Sequence, residues 1–251
     1  MEIATEKPIK VGMSANTLKL IAIFAMLTDH IAWGFVPTAS VSGEIMHIIG
    51  RLTAPIMCYF IAEGYHHTHN IKKYALRLGI FALISHFTFS YFETGKMPIS
   101  FVNGVHFRLQ TGVIYTLLLG LISLVVWNSK KMNKYVKIML IVMICIISIP
   151  GDWPCFAVLW ILAFGINYGN FKKQMIGFSI IGAIMVSVTL LFSNASGSPW
   201  WEQLFQSGVF LAIPLLSRYN GELGGSKNSK WIFYIFYPLH LFILGLIKYG
   251  L

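Results

Sequence analysis

Apolar runs of about 18 or more residues recur along this 251-residue chain, and each is long enough to cross a hydrocarbon core as a helix. Nothing else in the sequence constrains the fold as strongly. A water-soluble domain of this length needs far more polar surface than a chain that is 56% hydrophobic and 11% charged can provide. Segments that alternate apolar and polar residues are absent, which argues against a barrel. In lipid the backbone must satisfy its own hydrogen bonds, so the expected fold class is all-α: a polytopic transmembrane helical bundle forming a single domain over 1–251. Nine spans are predicted, at roughly 17–36, 43–65, 74–92, 109–127, 135–150, 153–170, 173–193, 201–217 and 231–249, after a polar segment 1–16. The turn Pro150-Gly151-Asp152-Trp153-Pro154 separates the fifth and sixth by so little that a re-entrant hairpin remains an alternative there. The first span resembles a signal peptide, but Asp29-His30 interrupts its apolar stretch and no small-residue cleavage site follows.

The formal net charge is +10, and the position of the bases gives it meaning. With the N-terminus in the cytoplasm, the inner segments hold Lys7, Lys10, Lys72, Lys73, Lys130, Lys131, Lys134, Lys137, Lys172, Lys173, Arg218, Lys227 and Lys230. The outer segments hold Lys96, Arg108 and Lys248, and Lys19, Arg51 and Arg77 fall within spans. This asymmetry is the positive-inside pattern of a multi-pass protein of a bacterial plasma membrane. The charge therefore meets the anionic lipid bilayer, and no motif points to nucleic acid. Cys58, Cys145 and Cys155 fit no disulfide or zinc framework. Residues 221–229, rich in Gly, Ser and Asn, read as a flexible linker, since no strand precedes them and no Walker pattern is present. The long outer loop 93–108 carries Asn103, His106 and Arg108; in the second, residues 194–202, Trp200 and Trp201 near Gly197 read as an interfacial belt.

Ionisable side chains at membrane depth cost several kcal/mol unless they pair or meet water, so they narrow the search for a site. Asp29 and His30 lie in the outer half of the first span. Successive residues point about 100° apart on a helix, but both can face the bundle interior, where a carboxylate orients an imidazole as a base. Their alternative role is to close helix–helix hydrogen bonds. Glu44, His47, Arg51 and Pro55 form one polar stripe in the second span, in which Pro55 should loosen the helix. Arg51 is read as pairing with Asp29, holding a substrate carbonyl or balancing charge. Glu63 precedes His66, His67 and His69, whose spacing lacks the i, i+4 pair of a zincin, so no metal is expected; Glu63 could meet Arg77 across the loop. His86 is a lone histidine of the third span, and Asp152 stands where it could cap the following helix. Tyr237 and His240 share a face of the last span around Pro238. A basic inner face leading to titratable groups would suit an anionic cytosolic donor and an acceptor outside.

At these positions the chain resembles the TraX family of membrane proteins. The likeness is carried by Leu18-Lys19-Leu20-Ile21-Ala22 leading to Asp29-His30, by Gly50-Arg51-Leu52-Thr53-Ala54-Pro55, by Glu63-Gly64 and by Tyr74-Ala75-Leu76-Arg77-Leu78. The closing Phe233-Tyr234-Ile235-Phe236-Tyr237-Pro238-Leu239-His240-Leu241 extends it, while Gly151-Asp152 departs from the Ala-Asp common in the family. The family's founding member acetylates the N-terminus of a conjugative pilin. The resemblance implies an acyltransferase that takes acetyl from cytosolic acetyl-CoA and transfers it to an amine or hydroxyl of a peptide or glycan acceptor. It implies catalytic roles for His30, Asp29, Arg51 and His240, with His30 as base oriented by Asp29 and with Arg51 or His240 at the oxyanion. A route through acetyl-histidine fits the same residues. Arg77, Lys73, Lys72 and Tyr237 are expected at the acyl-CoA, and His86, Asp152 and Glu63 at the acceptor. A proton-coupled transporter or channel, and a scaffold of a conjugation complex, are the competing readings; the first should show paired repeats with broken helices, which the sequence lacks.

Overall fold

The computed structural model describes residues 11–100, 106–196, 199–226 and 229–250. Lys7, Lys10, Asn103, Gly197 and Lys227 lie outside them. The chain runs through α1 (Ala15–Phe35), α2 (Val41–Gly50), α3 (Thr53–His67), α4 (Ile71–Thr94), α5 (Val113–Asn128), α6 (Lys134–Ile147), α7 (Pro154–Ile166) and α8 (Phe171–Ala195). A 3-10 helix (Trp200–Leu211), α9 (Ala212–Leu216) and α10 (Lys230–Tyr249) complete it. Every predicted span therefore has a helical counterpart, and the protein is a membrane helical bundle. Exposed Leu20, Phe24, Leu83, Ile180, Phe192 and Ile247 give it an apolar exterior suited to lipid tails. A two-residue pairing of Ile99–Ser100 with His106–Phe107 is the sheet structure among the described residues.

Local chemistry sets the helix starts. Ser14, Ser40, Asn70, Asn133 and Asn170 each accept a hydrogen bond from the backbone N–H three residues on, opening α1, α2, α4, α6 and α8. Residues 109–112 do not continue α5 backwards, as their apolar pattern predicts. Thr111 instead donates its N–H to Pro150 O and accepts from Asp152 N, both at 2.8 Å, tying this strand-like stretch to the turn before α7. That turn joins two separate helices, α6 on the periphery and α7 in the core, so 135–170 forms a hairpin of two helices. At the α-helical rise each is about 20 Å long, short of a full hydrocarbon crossing.

Two further departures shape the site. The second predicted span is two helices, broken at Arg51-Leu52. The ring of Pro55 cannot tolerate the carbonyl four residues before it, which belongs to Arg51, so the break falls one turn ahead of the proline. The eighth span is mostly 3-10, and its rise of about 2.0 Å per residue stretches a short segment further than an α-helix would. The expected flexible linker is tied down where it is described: Glu222 and Leu223 accept from the N–H groups of Ala15 and Asn16 at 2.8 and 2.9 Å, and the Asn16 side chain donates to Gly224 O. Labelling of single cysteines in an otherwise cysteine-free chain should find Lys131→Cys protected from an impermeant maleimide added outside intact cells and Gly197→Cys modified. The reverse pattern would invert the orientation.

Candidate active site

Asp29 and His30 are adjacent in sequence and serve two different clusters, because the helical turn between neighbours sends them to different partners. Asp29 is the centre of the first. Its Oδ1 accepts from His47 Nδ1 at 2.8 Å and its Oδ2 from Arg51 Nη2 at 2.5 Å. Gly50 makes this possible, since a Cβ there would overlap the carboxylate. Arg51, 6% exposed, also donates from Nη1 to Gln206 Oε1 at 3.3 Å. Its guanidinium carbon lies 4.9 Å from the ring centre of Trp153 and 5.1 Å from that of Phe205, so the cation is enclosed by aromatic faces. Trp153 has a left-handed backbone (φ 55°), a conformation costing about 1–3 kcal/mol in a non-glycine residue, and its indole covers the ion pair. His47, fully buried between Trp33 and Phe205, and Gln206 were not among the expected site residues. The i, i+4 spacing of His47 and Arg51 was the signal for the former; nothing in the sequence marked Gln206.

The second cluster is built on His30 and His240. His30 Nδ1 lies 2.9 Å from Met26 O, and His240 Nδ1 lies 2.8 Å from Phe236 O. Carbonyls accept and never donate, so both Nδ1 atoms carry the proton. His240 Nε2 is then a bare lone pair, and at 3.2 Å it takes a share of the His30 Nδ1–H. The tautomers are thereby assigned, and His30 keeps its Nε2 lone pair without a hydrogen-bond partner among the described residues. Asp29 does not orient His30 through a hydrogen bond; a backbone carbonyl and a second histidine do. Tyr237, 2% exposed, packs edge-on to both rings, and its hydroxyl oxygen accepts from Val113 N–H at 3.1 Å. Gly112 leaves the room for that hydroxyl, which an added Cβ would overlap. Gly112→Ala should therefore cost about 1–3 kcal/mol by overpacking, measured as a fall in melting temperature in detergent, whereas Gly79→Ala, where an added Cβ meets only Leu118 at 3.9 Å, should cause no such fall.

A cavity of about 280 Å³ comes up to this second cluster through Met26 and Tyr237, which line it and touch the histidines; His30 and His240 themselves stand behind that wall. Met26 and Tyr237 line its deep end, and Lys19, Arg77 and Lys230 line it towards the basic end of the bundle. A separate recess of about 450 Å³ on the opposite side is lined by Gln110, Thr111, Asp152 and Trp153. The Thr111–Val113 backbone borders both, with Thr111 in the recess wall and Val113 in the cavity wall. Burial pushes the Asp152 carboxyl up to about 6, although the nearby Arg51 guanidinium draws it down.

The remaining expected site residues are distributed unequally. Arg77 reaches the cavity, with its guanidinium carbon 5.6 and 5.8 Å from the ring centres of Tyr74 and Tyr234. It does not pair with Glu63, whose Oε2 lies 3.4 Å from His67 Nε2 one turn along α3. Lys72 and Lys73 are exposed at the start of α4 and do not line the cavity. His86 lies on the outer part of α4 beside the Gln110 backbone, well apart from Glu63, so those two and Asp152 do not form one acceptor site. His66 stacks on Tyr168 at 4.0 Å and bonds Gly165 O, while His67 bonds the Tyr168 hydroxyl. The described residues contain no group of three or more metal-ligating side chains.

Fold and site together define a polytopic helical membrane protein that encloses histidines, an ion pair and a tyrosine within its bundle. The chain belongs to the TraX family, whose model, described as TraX protein, matches residues 14–248. It is 30% identical over 237 residues to the "Probable fimbrial assembly protein FimC, serogroup H1" of Dichelobacter nodosus, an alignment that covers 93% of this chain and 95% of that one. No solved structure matches.

Proposed function

We propose that this protein is a membrane-embedded acyltransferase of the bacterial plasma membrane, moving acetyl from cytosolic acetyl-CoA to an amine or hydroxyl of a membrane-associated or extracytoplasmic acceptor. The observation that carries the reading is the tautomer-fixed His30–His240 pair, packed directly behind Tyr237, which lines a cavity that also holds Lys19, Arg77 and Lys230. A base with one free lone pair and an anion-attracting entrance are the two parts that transfer from an acyl-CoA needs. The name of the Dichelobacter relative supports a fimbrial or pilin subunit as acceptor; other peptides and glycans are compatible with the same chemistry.

In this scheme His30 Nε2 takes the proton of the acceptor N–H or O–H as its nitrogen or oxygen attacks the thioester carbonyl carbon. The carbonyl oxygen gains the negative charge, the C–S bond then breaks, and the departing CoA thiolate recovers the proton from His30. The products are acetylated acceptor and free CoA. The imidazolium formed on His30 already donates Nδ1–H to Met26 O and His240 Nε2, so its charge is shared without rearrangement. For the oxyanion, Arg51 and His240 are poor candidates: Arg51 is held by Asp29 and Gln206, and the single proton of His240 goes to Phe236 O. Tyr237 fits better, because its oxygen accepts from Val113 N–H and its own O–H proton has no acceptor among the described residues. Asp29 and Arg51 then act as the ion pair that holds α1 against α2. Purified protein incubated with acetyl-labelled acetyl-CoA should bind it saturably and release CoA slowly. Absence of both binding and release would overturn the proposal.

A further inference from the structure

Lys19 stands in the second turn of α1, inside the bundle wall, with its Nζ 4.9 Å from the ring centre of Phe60 and 5.4 Å from that of Phe233. No carboxylate among the described residues pairs with it. It lines the cavity together with Arg77 and Lys230, and no Asp or Glu among the described residues does. The Nε of Arg77 is likewise buried without a hydrogen-bond partner. Three cations from three helices thus converge on one space with no countercharge. Aromatic faces stabilise each of them modestly; Lys230 is exposed at the mouth, but Lys19 and Arg77 sit within the bundle wall, where like charges are costly unless an anion neutralises them.

We propose that Lys19, Arg77 and Lys230 form a clamp for the phosphate groups of the acyl donor, with Lys19 as its deepest member and the residue that fixes the donor's reach. This rests on the acyltransferase reading. Lys19 and His30 lie roughly 16 Å apart along α1 at the α-helical rise. That separation suits a donor whose anionic phosphates and reactive thioester are joined by a long, thin, uncharged arm, such as an extended pantetheine. A phosphate held at Lys19 lets the thioester arrive at His30 and Tyr237. The exposed Lys72 and Lys73 attract anions to the basic face without contacting the bound donor.

The test is equilibrium binding to the full chain in nanodiscs of neutral phosphatidylcholine, with CoA, acetyl-pantetheine (which lacks the phosphates) and inorganic pyrophosphate as probes. Lys19→Met should weaken CoA and pyrophosphate binding by about tenfold or more and leave acetyl-pantetheine binding unchanged, the loss expected for one charge-assisted contact. Lys230→Met, a change at an exposed helix start, should weaken CoA binding in the same direction, and Lys72→Met with Lys73→Met should stay near wild type. Unchanged CoA binding in Lys19→Met, or equal losses for CoA and acetyl-pantetheine, would overturn the clamp. Pyrophosphate binding that depends on Lys19 in a protein that ignores CoA would keep the clamp and sink the acyltransferase reading. Lys19-dependent exclusion of CoA by added phosphatidylglycerol would assign the site to a lipid headgroup and overturn the proposal.

Discussion

His30→Ala is expected to lower acetyl release from acetyl-CoA by about 10²–10⁴-fold while leaving the melting temperature within a few degrees of the parent protein. The size follows from removing the one imidazole whose Nε2 lone pair is unengaged in a cluster where every other ring nitrogen is committed or belongs to the Asp29 group. The small effect on stability follows from how little the ring holds together: a bond to a carbonyl of its own helix and one shared bond to His240. His240→Ala should act more weakly, since it removes the group that shares the charge and not the base itself. The two substitutions together should be far from additive, because they belong to one hydrogen-bonded unit. Wild-type turnover in His30→Ala would remove His30 from the mechanism, and an equal loss in both single variants would favour His240 as a direct participant.

The largest effect on stability is expected from Arg51→Met. The Asp29 carboxylate sits against Gly50 with His47 on one oxygen and Arg51 on the other, and removing the guanidinium leaves a carboxylate without its counter-ion inside the bundle. Breaking one side of a buried ion pair costs about 3–5 kcal/mol in proteins, and replacing both sides with apolar groups is often close to neutral. Arg51→Met should therefore melt well below the parent in detergent, and Asp29→Leu combined with Arg51→Met should recover most of the loss. If the double variant is no more stable than the single one, the pair contributes something besides charge balance. The Gln206 bond and the stacking of Trp153 and Phe205 on the guanidinium are then the interactions to suspect.

The bundle was legible in the sequence because lipid leaves few choices. Apolar runs and the distribution of lysines give nine segments, each of which has a helical counterpart. What length and hydropathy do not encode is local geometry. The 3-10 course of Trp200–Leu211 has the composition of an ordinary helix, and the break at Arg51 is announced by Pro55 but displaced from it by one turn. The site was half legible. Asp29, His30, Arg51 and His240 stand out because each is costly at that depth, yet their partners are set by rotation about helix axes and by packing between residues as far apart in sequence as His30 and His240. The neighbours Asp29 and His30 consequently read as a pair and fold as members of two groups. His47 stood in the polar stripe without an assigned role and is the second group bound to the Asp29 carboxylate.

The backbone stretch at Thr111–Val113, which separates the cavity on the basic side from the recess opposite, bears on the energetics of any cell that carries this protein. A continuous water column through an energised membrane would discharge the ion gradients across it. Tyr237, sealed against Gly112 and Val113, closes that route. A small fragment could be handed from one compartment to the other at such a partition while the membrane stays electrically tight.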